Sequence, residues 1–141
     1  MRSNASMGWS IHEGVVVVVH APGEPTDAEF GDFLADVRAA SVRGIVVMAP
    51  KAKLSPKQRK DIQKWFQQSG ARGAVLTDST VTRGVVTALG WFKVPIRAFA
   101  PSDHLGAFDY VGVMPERRAE LEQVIRRLER VMWTNDEQVA G

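Results

Sequence analysis

Short unbroken apolar runs alternate along this chain with stretches in which apolar residues recur every third or fourth position, the pattern of buried strands joined by amphipathic helices. Trp9 to His12 reads as a short first strand, and Glu13 and Gly14 turn it into Val15 to Val19. That β-branched run suits a strand buried on both faces. Pro22, Gly23 and Pro25 then break the chain. Thr26 with Glu29 forms a capping box, and Phe30, Phe33, Leu34 and Val37 give the helix behind it one apolar stripe. Ile45 to Ala49 is the next strand, ended by Pro50. Ser55, Pro56 and Gln58 supply an N-cap, a first-turn proline and a capping partner for a second helix, which Gly70 stops after Ser69. A third unit follows: Ala74 to Thr77 as strand, Asp78 and Ser79 as cap, and a helix through Val81, Val85, Val86 and Leu89. Val94 to Ala100 is a further strand, Ser102 or Asp103 caps a short helix through Phe108, and Pro115 opens a long helix to about Trp133.

Strands alternating with helices predict an α/β fold, a mostly parallel sheet of about five strands with right-handed crossovers and a long C-terminal helix. The expected division is a single domain over 1–133 and a flexible polar tail over 134–141. With 141 residues, 45% of them hydrophobic, the chain can bury a core without staples, and it has no cysteine. Thiol catalysis, cysteine zinc sites and disulfides are excluded. The first ten residues lack the apolar segment of a secretory signal, and no apolar stretch approaches the roughly 20 residues of a membrane span, so the expected location is cytoplasmic. Net charge is only +2, from 18 basic and 16 acidic residues, which argues against nucleic acid as a partner. The pI of about 9.2 reflects how little titrates above neutrality without cysteine and with one tyrosine.

The usual chemical signatures are missing. Neither GxxxxGK[ST] nor GxGxxG follows a strand, and no acidic pair stands at the strand ends to hold Mg²⁺ for a phosphorelay. His12, His20 and His104 are isolated and read as structural or surface groups, and Ser79 has no GxSxG elbow around it. The expectation is a non-enzymatic protein without cofactor or metal.

Between Ala71 and Val113 the segments Ala74-Val75-Leu76-Thr77-Asp78-Ser79, Arg83-Gly84-Val85-Val86-Thr87-Ala88-Leu89 and Ile96-Arg97-Ala98-Phe99 resemble the SpoIIAA-like proteins of the STAS/SEC14 group. The resemblance extends in element order across most of the chain. It implies a single-layer β/α unit with helices largely on one side of the sheet, binding protein partners or, in some relatives, small ligands and lipids. Anti-sigma-factor antagonists of the group carry a phosphorylatable serine in an Asp-Ser-Ser-Gly type loop. Here the comparable loop reads Pro50-Lys51-Ala52-Lys53-Leu54-Ser55-Pro56, so only Ser55 carries over, while Asp78-Ser79-Thr80 lies one β/α unit later.

Charge is segregated beneath the near-neutral total. Glu24 to Asp36 holds five acidic residues and no basic one, and Lys51 to Lys64 holds six basic residues against Asp61 alone. Neighbouring helices could exchange ion pairs, or the blocks could steer a docking partner. Ligands of parallel α/β sheets bind beside the carboxyl ends of the strands, here the loops 21–25, 50–54, 78–80 and 101–103. Lys51, Lys53, Lys57, Asp78, Ser79 and Thr80 are therefore the candidates for binding a partner or an anion. Ser79 and Ser55 are the candidate phosphorylation positions, each with helix capping as its simpler role. The apolar stripe Leu121, Val124, Ile125, Leu128, Val131 and Met132 covers the domain's own core or supports a homodimer. A regulatory or scaffold module that binds a protein partner leads, with a small-ligand or lipid carrier as the alternative.

Overall fold

The structure, a computed structural model, describes residues 1–140, with side chains through Trp133; the tail expected over 134–141 lies outside the described side chains. Six strands form one sheet in chain order: β1 (Arg2–Ser3), β2 (Met7–His12), β3 (Val15–His20), β4 (Gly44–Met48), β5 (Arg72–Leu76) and β6 (Ile96–Phe99). The first three pair antiparallel and the rest parallel.

A parallel sheet that grows steadily in one direction through right-handed crossovers must place every crossover helix on the same face. Accordingly α1 (Asp27–Ala39), α2 (Pro56–Ser69) and α3 (Thr80–Trp91) bury Phe30, Phe33, Ile62, Trp65, Phe66 and Leu89 with Val16, Val18 and Ile45. After β6 no strand remains to be reached, so α4 (His104–Val111) and α5 (Arg118–Ala140) turn back over the opposite face. There Phe108, Leu121, Ile125 and Leu128 meet Val15, Val17, Val46 and Leu76.

Two expectations change. The sheet has six strands rather than about five, because Arg2 and Ser3 pair with Trp9 and Gly8. Helices do not lie largely on one side: three cover one face and two the other, because β3 and β4 present aliphatic side chains in both directions. The α5 stripe through Leu121, Ile125 and Leu128 is used to cover this core.

The strand-end loops are fastened to one another. Ser55 and Gln58 complete the capping box of α2, and the buried Gln58 amide also donates to Pro25 O at 2.7 Å and Asp27 Oδ1 at 3.2 Å. Gly23, at φ 98°, donates to Lys51 O at 3.1 Å and accepts from Lys53 N at 3.1 Å. The β3–α1 and β4–α2 loops therefore form one ledge at the carboxyl end of the sheet.

Candidate functional site

Register aligns Val16, Ile45, Gly73 and Ile96 across the sheet, and one step further along the strands Val18, Val47, Val75 and Ala98. These rows hold aliphatic residues and glycine, with no aromatic ring to fill the space beneath the helices. A cavity of about 360 Å³ remains between them and α1, α2 and α3. Val47 stays half-buried although β4 is a central strand. Phe30, Phe33, Ile62, Phe66, Val85 and Leu89 supply the helical side of the wall. The polar lining, His20, Glu24, Lys53, Arg59 and Thr82, comes from the ends of strands and the beginnings of helices. The cavity is therefore amphipathic along its length and reaches the loops where parallel sheets bind ligands.

Of the residues singled out in the sequence, Lys53 lines this cavity; Lys51, Lys57, Asp78 and Thr80 are exposed and do not. Ser55 accepts from Gln58 N at 3.1 Å and Ser79 from Thr82 N at 3.2 Å, so both serines are N-caps. The Thr82 hydroxyl donates to Ala52 O at 3.3 Å, tying the start of α3 to the ledge beside Lys53. Among the described residues no ion pair joins Asp78 to Lys51 or Lys53, nor the acidic block to the basic one. Lys57 pairs with Asp61 on its own helix at 3.4 Å, and Asp36 binds Arg2 at 2.7 Å and Trp9 Nε1 at 2.8 Å.

Of the polar lining, Glu24, Arg59, Thr82 and His20 were not singled out as site candidates in the sequence, and the buried one is His20. It ends β3 at 7% exposure and lines the cavity. Burial drives its pKa down from 6.5 to about 4, so the imidazole is neutral at physiological pH, and its Nδ1 has no hydrogen-bond partner. The available signal was its place, immediately before the Pro22-Gly23 break at a strand's carboxyl end.

Another missed cluster lies on the opposite face. Ser10 Oγ is 2.7 Å from His12 Nε2, and His12 Nδ1 is 3.4 Å from Glu120 Oε1, the order of a hydrolase triad. Ser10 sits within β2, is 7% exposed and does not line the cavity, while Glu120 is shared with Arg117 at 3.2 Å. The cluster ties β2 to α5. His104 makes a similar tie between α4 and α5, with Nδ1 2.7 Å from Glu122. Among the described residues no three His, Cys, Asp or Glu side chains come together as metal ligands, and no helix is long and apolar enough to cross a membrane.

A six-stranded sheet with three crossover helices on one face, closed on the other by two C-terminal helices, is a SpoIIAA-like fold. The crystal structure of a DUF3478-family protein with a SpoIIAA-like fold from Shewanella loihica PV-4 superposes with a TM-score of 0.54 at 16% identity, covering 79% of this chain and 98% of that one. The anti-sigma factor antagonist SpoIIAA in its unphosphorylated form gives a TM-score of 0.54 at 14% identity, covering 77% of this chain and 100% of that one. No family model and no curated protein matches the sequence.

Proposed function

We propose that this protein is a non-catalytic binding module whose site is the cavity beneath α1, α2 and α3, and that its ligand is a small, largely apolar molecule. The observation that carries this reading is a cavity of about 360 Å³, apolar along most of its wall and polar at the strand ends. Packed interiors leave few voids larger than a water molecule, and volumes from about 300 Å³ upward are those of ligand sites. The neutral fluorophore N-phenyl-1-naphthylamine should bind with one saturable site and be displaced by decanol. Val47→Trp, which fills the middle of the cavity, should weaken binding at least tenfold, and Val85→Phe narrows it from the α3 side. Folded protein that shows no saturable binding overturns the reading.

A second reading, docking of a protein partner, is favoured by the two charge blocks, which do not neutralise each other among the described residues. Trp91 and Phe92, 79% and 59% exposed at the end of α3, add the aromatic surface in which interfaces are enriched. A regulatory role in the cytoplasm fits this reading. Ser79 and Ser55 are then the switch positions, because phosphorylating either hydroxyl replaces a capping oxygen with a phosphate at a helix start.

A further inference from the structure

What the polar end of the cavity would select for is an inference that rests on the ligand-binding reading above. Deep in the cavity the wall is sealed by apolar contact: a Cβ on Gly73 would stand 2.7 Å from the Phe66 ring, so ring and backbone already touch there. At the other end Lys53 and Arg59 line the cavity with Glu24, two cations against one carboxylate. Among the described residues neither Lys53 nor Arg59 makes an ion pair. The first turn of α2, which carries Arg59, adds the positive end of a helix dipole.

His20 is the independent sign that this end is built for a polar group. It lies more than nine-tenths buried in the wall with Nδ1 unpartnered, an arrangement that costs stability unless something supplies the missing interaction.

We propose that the cavity binds an anionic amphipath: a single alkyl chain lying over Val47, with one singly charged acidic head group at Lys53 and Arg59, beside His20. Glu24 on the same rim opposes a second negative charge, so a monocarboxylate fits better than a dianion.

Decanoate, decanol and decyltrimethylammonium present the same chain with three different heads, and each is titrated at pH 7.5 by displacement of N-phenyl-1-naphthylamine. A charge-assisted contact that decanol lacks makes decanoate bind about tenfold tighter or more, with the cationic amphiphile weakest. In the double variant Lys53→Glu with Arg59→Glu, decanoate loses at least tenfold while decanol stays within about twofold, the melting temperature confirming the fold. Equal affinity of the wild type for decanoate and decanol, or decanoate binding undiminished in the double variant, overturns the head-group assignment and leaves the apolar site standing. If decanol also fails to displace the dye, the ligand-binding reading falls with it.

Discussion

His20 joins the folding of this protein to pH as well as to its cavity. The unfolded imidazole titrates near 6.5 and the folded one near 4, so between those values the unfolded chain takes up a proton that the fold refuses. Stability is then complete above pH 6.5, declines as pH falls, and has lost this contribution below pH 4, on the order of 3 kcal/mol in all. His20→Leu should flatten that part of the profile, read as the difference in urea midpoint between pH 7 and pH 4.5 for the two proteins. Glu129, whose carboxyl burial raises, and Glu29, lowered by its bonds to Thr26, titrate alike in both and cancel in the comparison. Identical slopes would show that His20 is not the group responsible. In the sequence only its place before the Pro22-Gly23 break set His20 apart from His12 and His104, and its depth in the fold was not legible. Ser55 and Ser79 were legible as caps because capping depends on partners three residues away.

At the scale of elements, α2 and α3 are held very differently. The start of α2 is fixed by its complete capping box and by Gln58, whose amide reaches two groups across the ledge. By contrast α3 buries only Val86 and Leu89, packs chiefly on the edge strand β6, and is tied to the ledge by Thr82. Ser79→Ala removes its cap at a cost of about 1 kcal/mol, and the loss should fall on α3 first. Hydrogen exchange is expected to quicken over residues 80–91 while α5 keeps its protection; uniform acceleration across both would mean that α3 opens only with the whole fold. The helices and most strands were legible from periodicity and caps. The two-residue β1 was not, having no pattern of its own, and Val94 and Pro95 precede β6 instead of beginning it.

On the scale of the whole molecule, the nearly neutral net charge conceals an acidic α1 beside a basic α2. Opposite blocks left facing solvent make a dipolar field, which accelerates encounter with a complementary partner and weakens as salt rises. If the docking reading holds, reversing Lys57 and Lys60 to Glu should therefore slow association with the protein partner about tenfold at low salt, with little change near 1 M. An association rate untouched at low salt would leave the basic block as a solvated surface. The segregation was legible in the sequence. What was not legible is that the blocks do not pair, because that depends on how the helices are turned about their axes. The cavity was hidden for a related reason: each lining residue reads as ordinary core, and the space appears only when Gly73, Val75 and Val47 are brought into register.

The direction in which the sheet grows has a consequence for how a ligand would come and go. Because crossovers add helices to one face in chain order, the last of them rests on an outer strand, while α4 and α5 close the opposite face independently. One wall of the cavity is thus a helix that buries only Val86 and Leu89, and the other is a sheet braced from behind. On the ligand-binding proposal, an outward displacement of α3 would open the cavity while leaving the second core intact. Residence time would then be set by the dozen residues of α3 at the sheet's margin and tuned there separately from the resistance of the domain to unfolding.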